Sequence, residues 1–144
     1  LIGPDGERQL TVQEFILSPG KTSLKQSEIL VSITLKRSGY KSIFQKVGLR
    51  QSMAISVVNL AFVYSKKGQD YQYLKIACGA VAPTVVNLDK LTSTIIDKSS
   101  KPDDWPLLIE ADILPIDDIR ATAKYRKQVV INLVQAFLKG QFNG

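Results

Sequence analysis

No histidine occurs among the 144 residues, and there is a single cysteine, Cys78. The missing histidine removes the commonest general base and with it every Ser-His or Cys-His nucleophile pair, so hydrolytic triads are excluded. A lone cysteine forms no internal disulfide, and none of the usual Cys/His spacings of metal sites occurs. Long apolar runs are lacking too: each is broken by polar or charged residues within about a dozen positions, short of the ~20 that crossing a bilayer requires. The opening LIGPDGERQL has no basic start, apolar stretch or small-residue cleavage site. Nothing in it marks export, and a soluble, cytoplasmic chain with no membrane span is expected. Neither G-x-G-x-x-G nor G-x-x-x-x-G-K-[ST] is present, which removes a self-contained nucleotide cradle.

What the sequence does have is an ordinary globular composition, 44% apolar and 22% charged, in a length that suits one core. Lys and Arg outnumber Asp and Glu by 19 to 13, a formal charge of +6. The excess is dispersed. Only Lys66-Lys67 and Lys124 to Lys127 bring basic residues close together, and no basic stripe alternates with aromatics, so nucleic acid is not the expected partner.

Leu1 to Gly20 is rich in Gly, Pro and charge around a small apolar patch at Val12, Phe15 and Ile16; residues 1–27 read as a linker and junction. From Glu28, Ile29, Val31, Ile33 and Leu35 alternate with Leu30, Ser32, Thr34 and Lys36, the period of a half-buried strand. A turn at RSGY and a second strand over Lys41 to Val47 would complete a hairpin. Ala54 to Tyr64 and Tyr71 to Val81, joined by SKKGQD, form a second hairpin, central in the sheet. Gly48 to Met53 is a connection. After Pro83 the period becomes helical through Val86, Leu88, Leu91, Ile95 and Ile96. A short helix follows over Trp105 to Ala111, and a long one over Thr122 to Lys139 with an apolar stripe of Val130, Leu133, Val134, Phe137 and Leu138, Thr122 as N-cap and Gly140 as its stop. The expected fold of residues 28–144 is therefore α+β: an antiparallel sheet of about four strands in two hairpins, followed by three helices packed on one face.

Chemistry is sparse. Asp117 and Asp118 precede the long helix, where capping or loop hydrogen bonds explain carboxylates better than a catalytic pair does. Cys78 shares a strand face with Leu74, Ile76 and Ala80 and reads as a small core residue. Trp105 reads as a helix-start anchor.

Three segments carry a resemblance. GERQLTVQEFILSPGKTSLKQSEILVSI, with Phe15, Gly20-Lys21-Thr22, Leu24 and Glu28-Ile29-Leu30, resembles the junction between the flavin domain and the C-terminal domain of molybdenum hydroxylase FAD subunits, the xanthine dehydrogenase and aerobic carbon monoxide dehydrogenase group. FQKVGLRQSMAISVVNLAF, with Lys46, Gly48, Arg50 and Val57, is similar to that family's second strand, connection and third strand. ILPIDDIRATAKYRKQVVINLVQAFL is similar to its closing Pro-Ile-Asp-Asp-x-Arg and Tyr-Arg stretch, the most specific of the three. The chain departs from the pattern after CGAVAPT, where Val85 and Asn87 stand in place of a proline and an arginine.

The resemblance implies the C-terminal domain of an FAD-dependent oxidoreductase subunit, with no catalytic residue or metal ligand of its own. FAD would be held mainly by a preceding domain. The molybdenum cofactor and 2Fe-2S clusters would sit on partner molybdenum-binding and iron-sulfur subunits or domains. It further implies two flavin contacts: Leu30, after Glu-Ile, and a lysine after the aromatic Phe44. That lysine is Lys46 here, while some relatives carry it one position earlier, where this chain has Gln45. The alternative is a noncatalytic subunit-docking domain without flavin contact.

Overall fold

The computed structural model describes residues 1–36, 38–50 and 55–141, which form two compact units, Leu1–Gly39 and Tyr40–Gly144. Part of the connection expected at Gly48 to Met53 lies outside the described residues.

The first unit is built from short pieces. β1 (Ile2–Gly3) and β2 (Gly6–Glu7) form a hairpin across Pro4-Asp5. α1 (Val12–Phe15) is a single turn closed by a capping box, with the Thr11 hydroxyl accepting from Glu14 N and Glu14 accepting from Thr11 N. β3 (Ile16–Ser18) and β4 (Lys21–Thr22) make a second small hairpin. One ion pair ties these pieces together: Arg8 Nε and Nη2 donate to Glu28 Oε1 and Oε2 at 2.7 and 2.8 Å. Arg8 Nη2 also donates to Ser23 O, and Lys25 N donates to Glu28 Oε2. With that many donors the Glu28 carboxyl is held down to about 2, first by the Arg8 guanidinium and then by the Lys25 amide.

The second unit carries a four-stranded sheet in the order β5 (Lys41–Gly48), β6 (Ser56–Lys67), β7 (Asp70–Gly79) and β8 (Val86–Asn87), antiparallel throughout. After it come α2 (Asp89–Ile96), α3 (Trp105–Glu110) and α4 (Ala123–Leu138). Pairing registers put Leu60 opposite Cys78, Phe62 opposite Ile76 and Tyr64 opposite Leu74. That face is buried together with Leu91 of α2, Ile109 of α3 and Val130, Val134 and Phe137 of α4. Phe137 stacks on Phe62, with centroids 4.1 Å apart, and meets Tyr64 edge-on at 5.2 Å. All three helices thus cover one face, as the α+β expectation has it. Thr122 caps α4 by accepting from Tyr125 N. Gly140, at φ +72°, stops the helix: its N–H reaches Phe137 O while Gln141 N reaches Ala136 O, the two bonds of a Schellman ending.

Two expectations fail. Residues 30–36 form no strand, and Ile29 makes only a single bridge, to Ile2. The hairpin with Lys41 to Val47 is therefore absent, and β5 instead pairs along its length with β6. The alternation was sound as a pattern, but the Ile2 bridge and the Arg8–Glu28 pair hold this segment in the first unit, while β6 takes the inner edge of β5. Val86, read as helical, lies in β8 opposite Cys78, and α2 begins only after Leu88, whose N–H donates to Ile76 O. With β1 to β4 and α1 added, strands and helices outnumber the expected four and three.

Candidate functional site

The most specific motif proves architectural. Asp117 Oδ1 accepts from Ala123 N at 2.6 Å, at the start of α4. Asp118 Oδ1 accepts from Arg120 N at 2.8 Å and Ala121 N at 3.1 Å, closing the loop on itself. Arg126 is 3% exposed; its Nη2 donates to Asp118 Oδ1 at 2.6 Å, and its Nη1 donates to Val57 O at 2.5 Å and Ala80 O at 2.9 Å. One guanidinium thereby joins α4, the loop before it and β6. The Asp118 carboxyl is held down to about 2, chiefly by the Arg120 amide against the opposing effect of burial, with the Arg126 guanidinium and Ala121 amide adding to it. The acidic pair caps and closes a loop, as the simpler sequence reading has it. Cys78 is buried and its thiol is pushed up to about 12 by burial, as suits a core residue. Trp105 opens α3 and packs against the core.

The sheet face opposite the helices has a different character. In β5, Ile43 lies opposite Phe62 and Gln45 opposite Leu60, so both belong to the helix-covered face. Ser42, Phe44 and Lys46, alternating with them, belong to the other face. Phe44 is 64% exposed and Lys46 is exposed beside it. Across the strands Lys46 lies opposite Asn59, and Asn59 opposite Gly79. A Cβ at Gly79 would come within 2.5 Å of Asn59 Oδ1, so glycine gives the Asn59 amide its room on this face. Further along, Tyr40 stacks on Tyr73 with ring centroids 4.2 Å apart. The result is an open surface bearing an exposed ring, a cation and an amide.

Leu30 belongs to the first unit, 49% exposed, in a cleft of about 490 Å³. The same cleft is lined by Leu10, Val12 and Phe15, and by Ser32, Thr34 and Lys36. Its apolar lining with a few polar groups is the common character of a binding cleft. Of the three expected contact residues, Gln45 and Lys46 are thus neighbours on opposite faces of one strand, and Leu30 lines a separate cleft. Sequence reasoning missed Arg126 as the centre of the closing motif. The signal was there: Arg126, Val130 and Val134 recur at helical spacing, and a charge on an apolar stripe asks for a buried partner.

Among the described residues no helix is long and apolar enough to cross a membrane. The chain is 25% identical over 143 residues to the carbon monoxide dehydrogenase medium chain of Hydrogenophaga pseudoflava, covering 96% of this chain and 50% of that one. It is 25% identical over 142 residues to the xanthine dehydrogenase FAD-binding subunit of Escherichia coli O157:H7, covering 94% and 47%. It therefore spans about half the length of the curated relatives it matches. Among solved structures, quinoline 2-oxidoreductase from Pseudomonas putida 86 superposes with a TM-score of 0.83 at 18% identity, over 96% of this chain and 50% of that one. The Cu,Mo-CO dehydrogenase superposes with a TM-score of 0.79 at 22% identity, over 93% and 48%. At these identities the superpositions show a shared fold. The sequence pattern of the CO dehydrogenase flavoprotein C-terminal domain matches residues 43–140, most of the second unit, and the chain belongs to that family.

Proposed function

We propose that this chain is the C-terminal half of the FAD-binding subunit of a molybdenum hydroxylase, and that it helps to position a flavin held mainly by a preceding domain. The observation that carries the reading is the exposed Phe44 ring beside Lys46 on the helix-free sheet face. A flat aromatic cofactor that gains negative charge on reduction suits a surface with an open ring and a cation. Leu30, exposed in its own cleft, is the proposed apolar contact. FAD in such a subunit supplies two-electron chemistry, receiving electrons from iron-sulfur clusters and passing them to an acceptor. The residues of this chain bind and orient; none carries a reaction step. The half-length match to the carbon monoxide dehydrogenase medium chain and the xanthine dehydrogenase FAD-binding subunit supports both the family of activity and the existence of a preceding flavin domain. In this reading residues 1–27 are the junction from that domain, and the partners are the molybdenum-binding and iron-sulfur subunits.

The test is a pair of substitutions in the full-length subunit. Lys46→Ala is expected to weaken FAD binding by about tenfold, the equivalent of ~1.4 kcal/mol, or to shift the flavin reduction potential. Gln45→Ala, on the helix-covered face, is expected to do less. Flavin titration with redox potentiometry reads both. A larger effect from Gln45→Ala would move the contact to Gln45, and no effect from either would remove this face from the flavin site.

A further inference from the structure

The first unit contains one side of an unfinished β-ladder. Ile2 N donates to Ile29 O at 3.0 Å and Ile29 N to Ile2 O at 2.9 Å, the doubly bonded pair of an antiparallel ladder. Partner numbers in such a ladder keep a constant sum. Leu30 then falls opposite Leu1, and Val31, Ile33 and Leu35 fall opposite positions that come before Leu1. Those three residues carry the alternation of a strand, yet they pair with nothing in a strand and are 54%, 70% and 85% exposed.

The hairpin on the other side is unfinished in the same direction. Leu1 N donates to Arg8 O and Arg8 N to Leu1 O, both at 2.9 Å. Continued by its own alternation, this hairpin sets the second position before Leu1 opposite Leu10. Between the two edges lies the cleft, lined by Leu1, Gln9 and Leu10 from the hairpin and by Leu30, Ser32 and Ile33 from the unpaired segment.

We infer that this cleft is a strand slot, and that its occupant is the stretch of polypeptide running into Leu1 in the full-length subunit. That stretch pairs with Leu10 on one side and with Val31 to Leu35 on the other, completing a three-stranded antiparallel sheet. The inference rests on the reading of the chain as half of a longer subunit, for which the relatives supply the length. It also accounts for the failed hairpin: the strand pattern at Ile29 to Leu35 is real, and its partner lies upstream. Side chains stand perpendicular to a sheet, so filling the slot in the plane leaves Leu30 free to meet a ligand from above.

Residue-resolved hydrogen exchange on the full-length subunit tests this, with and without FAD and over a range of protein concentrations. The ladder alternation assigns the new bonds to the amides of Leu10, Val31 and Ile33. Each is expected to exchange at least about a hundredfold more slowly than an unstructured amide, independent of flavin and of concentration. Unprotected Val31 and Ile33 amides would overturn the slot. So would protection that appears only with FAD, which makes the occupant a ligand, or only at high concentration, which makes it a second copy. A flavin-loaded subunit without this protection sinks the slot and leaves the proposed function standing; a protected subunit that binds no flavin does the reverse.

Discussion

Replacing Arg126 by methionine is expected to cost about 3–5 kcal/mol of folding stability, a large part of the ~5–15 that a domain typically has. The substitution keeps much of the apolar stem but leaves Val57 O and Ala80 O without the Arg126 donor in a buried setting, and removes one of the several donors to the Asp118 carboxylate. Denaturant midpoints read the loss. Tyr125→Ala, one position away and 51% exposed, is the control and is expected to change little. The same clasp carries a pH signature. Asp118 is depressed from 3.8 to about 2, so its contribution is fully present above pH ~4 and is lost as pH falls from there through 2. The Arg120 and Ala121 amides remain in the Arg126→Met variant, so the acid loss is expected to shrink but not vanish. A midpoint for Arg126→Met equal to that of the unmodified protein would show that the guanidinium is dispensable.

Phe137→Ala is expected to cost about 3–5 kcal/mol, the usual range for deleting a buried aromatic ring. Phe137 is 4% exposed, stacks on Phe62, and touches Tyr64 and Tyr71, so its removal opens a void where α4 crosses the sheet. Val130, fully buried on the same stripe, is expected to follow in the same direction. Leu133 packs against the core but is only half-buried, so Leu133→Ala should lose less. Denaturant unfolding of the three variants checks the order. Equal losses at Leu133 and Phe137 would mean that the buried face of α4 is rotated from the one described.

The parts of the fold that were legible in the sequence are those with local signals. β6 and β7 are long, apolar and joined by a short turn with Gly68; α4 has a cap, an apolar stripe and a terminal glycine. Residues 29–35 do not pair with β5 as expected, because alternation specifies a face and not a partner. Val86 fits both a helical period and a short edge strand, and the pairing of Val86 with Cys78, with the bond from Leu88 to Ile76, decides between them across a distance in sequence. The candidate site was legible only in part. That Gln45 and Lys46 must face opposite ways follows from strand geometry alone. Which of the two faces carries the helices required the register with β6. The PIDDIR and KYRK residues were recognisable as a motif, but their role depends on carbonyls at Val57 and Ala80 that no local pattern links to Arg126.

The flavin content of the full-length subunit, read by its visible absorbance and by titration of the stripped protein with FAD, is the most direct test of its membership in a flavin-binding subunit. A yellow subunit with one FAD per chain is expected, and no tightly bound flavin on residues 1–144 alone, whose sequence carries neither G-x-G-x-x-G nor G-x-x-x-x-G-K-[ST]. A full-length subunit that is colourless and takes up no FAD would contradict it.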